Sequence, residues 1–149
     1  MTNEELGARV AQLEDLESIK RVKARYFRLV DAHDFAGLSQ LFWEDAVINS
    51  STASGSRDEF LQALKKRVGA RMFHAGHSGE VEFTDSTTAV GHWAMSFTMR
   101  SETDDGIVIT TGFRRYEDSY AKRDGEWRIA RMAMDDVGLD STYLEPRIF

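Results

Sequence analysis

The apolar residues change period near Met72, from about 3.6 residues to 2, and this change restricts the chain to one class of fold. Before it, Leu13, Leu16, Ile19, Tyr26, Phe27 and Val30 fall on one arc at roughly 100° per residue, which predicts a long amphipathic first helix. Asp34-Phe35 opens a shorter apolar segment through Leu38, Leu41 and Phe42. Ser56-Arg57-Asp58-Glu59 is a capping-box pattern that opens a third helix through Phe60, Leu61, Leu64 and Val68. After Met72, β-rich runs alternate with turn signals at Thr84-Asp85-Ser86, Asp104-Asp105-Gly106 and Asp124-Gly125. Strands are expected at about 72–83, 88–101, 107–121 and 126–137, with a short earlier one at 46–49. Helices followed by an antiparallel meander specify an α+β domain. The expected form is a cone-shaped α+β barrel, its N-terminal helices closing one side of a curved, mostly antiparallel sheet around a small pocket.

The 149 residues contain no repeat or linker, so one domain over 1–149 is expected, large enough to bury a core without staples. Nine Phe, four Tyr and three Trp are incompatible with global disorder. With 19 Lys and Arg against 25 Asp and Glu, the net charge is −6. The nearest approach to a basic run, Arg21 to Arg28, is surrounded by Glu14, Asp15, Glu17, Asp31 and Asp34, so nucleic acid is not an expected partner. No apolar stretch is long enough for a membrane span and no secretory signal opens the chain, so a cytoplasmic protein is expected. The absence of Cys removes thiol catalysis and thiolate metal sites.

Few residues remain that can carry chemistry. Asp31 falls about 40° around the first helix from Phe27, at the edge of the apolar arc. A carboxylate there either borders a pocket or belongs with Asp34 to the helix-ending loop. Tyr26 faces the same interior. His74 and His77 open the first long strand; at i and i+3 on an extended chain their rings point to opposite faces, which argues against a shared metal. His92 is expected on the outer face of its strand, opposite Trp93, Met95, Phe97 and Met99, and His33 is expected to be exposed. Arg114, Arg115, Arg128 and Arg131 decorate the last two strands, and only Arg131 shares the parity of Trp127 and Ile129. An inward Arg131 would bind a substrate oxygen or pair with an acid of the helix layer. Lys23 falls within the apolar arc, where its stem can pack while its ammonium reaches the rim.

The run Tyr26-Phe27-Arg28-Leu29-Val30-Asp31-Ala32-His33-Asp34-Phe35, followed by Leu38, Leu41-Phe42, Asp45-Ala46, His74, Val81-Glu82-Phe83, Ala89 to Trp93 and Asp124 to Ile129, resembles SnoaL-like proteins of the nuclear-transport-factor-2-like superfamily. The resemblance covers about residues 13 to 135. Within that superfamily the layout is most similar to the cofactor-independent lyases: hexachlorocyclohexane dehydrochlorinase, scytalone dehydratase and bile-acid dehydratase. It implies that His74 removes a proton, that Asp31 orients it, and that Tyr26 is a pocket hydrogen-bond donor. It also places Met99 where scytalone dehydratase has a second histidine, and Asn49 where it has a pocket tyrosine. Neutral imidazole titrates near working pH and suits removal of an acidified C–H proton.

The expected function is therefore a dehydratase, dehydrohalogenase, isomerase or cyclase acting on a small hydrophobic ring-bearing molecule, without cofactor or metal. His74, Asp31 and Tyr26 would be catalytic, and Asn49, Trp93, Phe97, Met99 and Arg131 would bind substrate. The same fold serves noncatalytic ligand-binding modules and accessory subunits of ring-hydroxylating dioxygenases, so that reading stands beside the first. Resemblance also implies a homodimer or homotrimer through the outer face of the sheet. The tail residues Tyr143, Leu144, Ile148 and Phe149 would cover the pocket mouth or pack on a neighbouring subunit.

Overall fold

The structure, a computed structural model, describes residues 1–67 and 69–145. Helix α1 (Asn3–Asp31) begins with a complete capping box between Thr2 and Glu5, ten residues before the expected arc. Its first half makes no core: Leu6, Val10 and Leu13 are exposed, and burial starts in earnest at Ile19. His33 then takes a positive φ of 53°, turning the chain sharply, and Asp34 caps α2 (Phe35–Gln40) by accepting from the Gly37 N–H at 2.8 Å. Helix α3 (Arg57–Lys65) opens on the predicted capping box of Ser56 and Glu59. Val68, expected to continue it, lies outside the described residues.

The strands are β1 (Phe42–Asn49), β2 (Ser54–Ser56), β3 (Arg71–Gly76), β4 (Glu80–Phe83), β5 (Thr88–Thr103), β6 (Gly106–Arg123) and β7 (Glu126–Leu144). They form one sheet in the order β2-β1-β7-β6-β5-β3, with β4 beside β3 on the same side of β5. Every pairing is antiparallel except β1 with β7. The sheet is mostly antiparallel, as expected, but open. The single strand expected at 72–83 is two strands, because the backbone leaves the ladder at His77-Ser78-Gly79 and rejoins it at Glu80.

The core lies between the helices and the inner face of the sheet. Ile19, Tyr26, Phe27 and Val30 from α1 and Phe60, Leu61 and Leu64 from α3 meet Trp93, Met95 and Phe97 of β5 and Ile129, Met132 and Met134 of β7. The alternation predicted on β5 holds, with Trp93, Met95 and Phe97 buried and His92 exposed.

On β7 the alternation breaks. Ser119 pairs with Arg131 while Tyr120 pairs with Ile129, so Ala130 is an extra residue and the side-chain parity reverses there. A second extra residue, Val137, separates the Gly138–Phe113 and Asp136–Arg114 pairs. The bulge at Ala130 buries Trp127 and Ile129 before it and Met132 and Met134 after it. Strand β7 continues to Leu144 against Ile107, so Tyr143 and Leu144 belong to the sheet rather than to a pocket cover. Ile148 and Phe149 lie outside the described residues.

Candidate functional site

Two elements bring the site together. Asp31 is the last residue of α1, and the turn at His33 leaves its carboxylate facing the first residues of β3. Asp31 Oδ2 accepts from the His74 backbone N–H at 3.0 Å, and Asp31 Oδ1 lies 2.5 Å from His74 Nδ1. One carboxylate therefore fixes both the strand and the ring. Because the acceptor is a carboxylate, Nδ1 carries the proton of the neutral imidazole and Nε2 keeps its lone pair. No protein group bonds Nε2 among the described residues.

The ring is packed on aromatic neighbours. Phe27 lies nearly parallel to it, with centroids 6.4 Å apart, and Phe97, its cross-strand partner on β5, lies 5.7 Å away at 25°. The His74 side chain is 6% exposed and that of Asp31 20%. Burial opposes the imidazolium, and this outweighs the hydrogen bond and charge of Asp31, so the His74 pKa falls below its ordinary 6.5. The positive charge of Arg114 acts in the same direction as burial.

A cavity of about 380 Å³ opens beside the dyad between α1 and β3, and Asp31, His74, Phe27, Trp93 and His77 all line it. His77 corrects an expectation. The strand ends at Gly76, so the opposite-face rule for i and i+3 does not reach His77, and both histidines border the same space.

The other expected site residues divide. Trp93 is on the cavity wall and Phe97 is against the dyad. Tyr26 is in the core rather than on the wall, with its ring edge-on to Phe27, Phe42 and Tyr116; burial holds its hydroxyl pKa well above the ordinary 10.0. Met99 is half-buried and pairs with Met72, away from the cavity. Asn49 is exposed on β1, where its Oδ1 accepts from Ser54 Oγ at 3.1 Å. Arg131 points outward because of the Ala130 bulge, and its guanidinium reaches Glu117 at 3.4 Å. His33 is only half-exposed, and its Nε2 is buried without a partner.

Three residues of the site were missed or misjudged from sequence. Arg114 is the inward arginine: its Nε donates to Asp136 Oδ1 at 2.6 Å, and its guanidinium carbon lies 4.3 Å from the centre of the Phe97 ring. Its even number matches the buried residues Tyr116, Asp118 and Tyr120 on β6, a parity available from sequence but obscured by four arginines on two strands. Lys23 does not reach the rim. It is 1% exposed, donates to Asp118 Oδ2 at 2.7 Å, and lies 3.4 Å from the centre of the Tyr116 ring. Asp118 is fully buried, also accepts from Tyr120, and leaves Oδ1 without a partner. Burial lowers the Lys23 pKa and raises that of Asp118, while each charge opposes the other's shift. Such a pair contributes little net stability, although removing one partner costs about 3–5 kcal/mol. Nothing around Asp118 in sequence marks it, since its partner is 95 residues away.

The SnoaL-like domain family matches residues 11–133, most of the chain. This protein belongs to the SnoaL-like family. Solved structures resemble this SnoaL-like chain over nearly its whole length. A protein described as a scytalone dehydratase from Novosphingobium aromaticivorans is 20% identical, with 92% of each chain covered and a TM-score of 0.76. A type-3 hexachlorocyclohexane dehydrochlorinase from Novosphingobium barchaimii is 16% identical, covers 91% of this chain and 93% of its own, and has a TM-score of 0.76. A protein described as an aromatic-ring hydroxylase, also from Novosphingobium aromaticivorans, is 20% identical, with 87% and 94% covered and a TM-score of 0.74. At these identities the likeness is one of fold, the cone-like α+β arrangement that SnoaL-like chains share.

Proposed function

We propose that this SnoaL-like protein is a cofactor-independent lyase or isomerase in which His74 is the general base. The observation that carries the reading is the 2.5 Å contact between Asp31 Oδ1 and His74 Nδ1 on the wall of an apolar cavity. Asp31 fixes the tautomer and opposes the charge that forms on the ring, while Nε2 faces the substrate. The proton leaves a carbon acidified by a carbonyl or by a leaving group on the neighbouring carbon. Its C–H electron pair becomes a new C=C bond as the leaving group departs with its own electrons, or, in an isomerisation, is delocalised into the carbonyl and takes the proton back from His74 Nε2 at a different carbon. The lowered pKa of His74 keeps it unprotonated at neutral pH, ready to act as a base. Arg114, over the Phe97 ring, adds a positive charge that helps keep His74 neutral. The apolar walls, Phe27 and Trp93 among them, suit a small hydrophobic ring-bearing substrate.

The reading is tested without knowing the leaving group. A panel of cyclic ketones and β-substituted carbonyl compounds is incubated with the protein in D2O, and deuterium entry at the α-carbon is followed by NMR together with elimination. Wild type is expected to exchange or eliminate at least one of them. His74→Ala and Asp31→Asn are expected to lower that rate by about 10²–10⁴. A folded wild type that exchanges nothing in the panel, or a His74→Ala variant as active as wild type, would sink the reading and favour a noncatalytic binding module.

A further inference from the structure

The cavity is a groove with a direction. Asp31 meets His74 at one end, Phe27 crowds Gly76 in the middle so closely that a Cβ there would strike its ring, and Trp93 lies under Gly79 further along. The α1 wall runs from Asp31 back to Lys20, eleven residues or about 16 Å of helix. Along that wall, Lys20, Ala24 and Arg28 are successive one-turn neighbours. Ala24 is the small residue between two long cations, so the helix surface dips there with a positive side chain one turn away on each side. His77 lines the same groove from the strand side.

The charges in this groove are unbalanced. Its lining holds Lys20, Lys23 and Arg28 against one carboxylate, Asp31, and Asp31 is committed to His74. Lys23 is neutralised from below by Asp118. Lys20 touches Glu17 at 3.0 Å in a solvent-exposed pair of the kind that holds little energy. Arg28 is exposed and forms no ion pair among the described residues. In a chain of net charge −6, a groove lined by apolar rings, with Arg28 unpaired among the described residues and Lys20 held only in an exposed pair, favours an amphipathic anion.

We propose that the substrate is an elongated acid: an apolar body lying along Phe27 and Trp93, with an anionic group, carboxylate or phosphate, held over Ala24 between Lys20 and Arg28. Seven residues separate Ala24 from Asp31, so this group sits about 10 Å along the helix from the dyad. It anchors the molecule and is not itself the reacting centre. The inference deepens the proposed reaction and rests on it for placing the reacting carbon at His74, whereas the binding needs no turnover.

Isothermal titration calorimetry with 2-naphthoate, 2-naphthyl phosphate and the neutral 2-naphthamide tests it. At low salt at least one of the two anions is expected to bind at least tenfold tighter than the amide, and the anion that does so tells carboxylate from phosphate. That advantage is expected to shrink several-fold in 0.2 M salt, to disappear in the double variant Lys20→Gln/Arg28→Gln with amide binding unchanged, and to persist in Arg9→Gln, which alters a cation elsewhere on the helix. Circular dichroism checks that each variant keeps its fold. Equal affinities for amide and anions, no saturable binding of any probe, or an advantage that survives the double variant would overturn the proposal. His74→Ala separates the two claims. Retained anion binding with lost turnover supports both, retained binding with unchanged turnover sinks only the lyase reading, and loss of the anion preference there shows that Lys20 and Arg28 do not hold the anion and overturns the proposal.

Discussion

Burial and a carboxylate act against one another at His74. Asp31 was legible as a candidate from helix geometry, and His74 from its place at the start of a strand and from the resemblance. Their contact was not legible, because 43 residues and a left-handed turn at His33 intervene. A neighbouring carboxylate favours the imidazolium, but in the structure desolvation by the packed aromatic surroundings has the larger effect. NMR titration is therefore expected to find His74 below 6.5, and lower still in Asp31→Asn, where only the two favourable contributions are removed. The sign for stability follows. The unfolded chain takes up the proton first on acidification, so this residue's contribution is complete above about pH 6.5 and is lost as pH falls from there to the folded pKa. A His74 that titrates above 6.5 in the folded protein would contradict this.

At the scale of elements, small residues and extra residues decide which side chains reach the site. Gly76 ends β3 where the Phe27 ring comes closest to the backbone. Gly76→Ala is expected to cost about 1–3 kcal/mol in urea unfolding, the usual range for overpacking, and to move the His74 titration by displacing Phe27. An unchanged midpoint and an unchanged titration would show that Phe27 relaxes freely. The bulge at Ala130 acts in the opposite direction. Counting parity along β7 put Arg131 inside with Trp127 and Ile129, and one unpaired residue turned it out. A bulge leaves no mark in an alternation count, since two strands must be laid side by side before the extra residue is visible. The long helix, the third-helix cap and the three long strands β5, β6 and β7 were legible because each is written locally, in a period or a cap.

For the whole molecule, the outer face of the sheet remains. Phe73 and Phe113 stand opposite the inward His74 and Arg114 and are 67% and 60% exposed. Two large rings beside Ser96 and Thr98 make an apolar patch, which fits the homodimer or homotrimer that the resemblance implies. Light scattering after size exclusion is expected to give a multiple of 16.9 kDa for wild type and a smaller mass for Phe73→Ser/Phe113→Ser. A monomeric wild type at micromolar concentration would end that proposal. No helix among the described residues is long and apolar enough to cross a membrane.

By itself, the sequence determined the class of fold and the order of its elements, because hydrophobic period, caps and turn residues act over a few neighbours. It also put Asp31 at the end of a helix and His74 on a strand, and with them the chemistry available. Only the tertiary structure decided which groups meet. It joined Asp31 to His74, brought Asp118 under Lys23 from 95 residues away, turned Arg131 outward through a single bulged residue, and left Asn49 outside. Those outcomes depend on the register between strands and on the packing of a helix across them, and neither is encoded in any one segment.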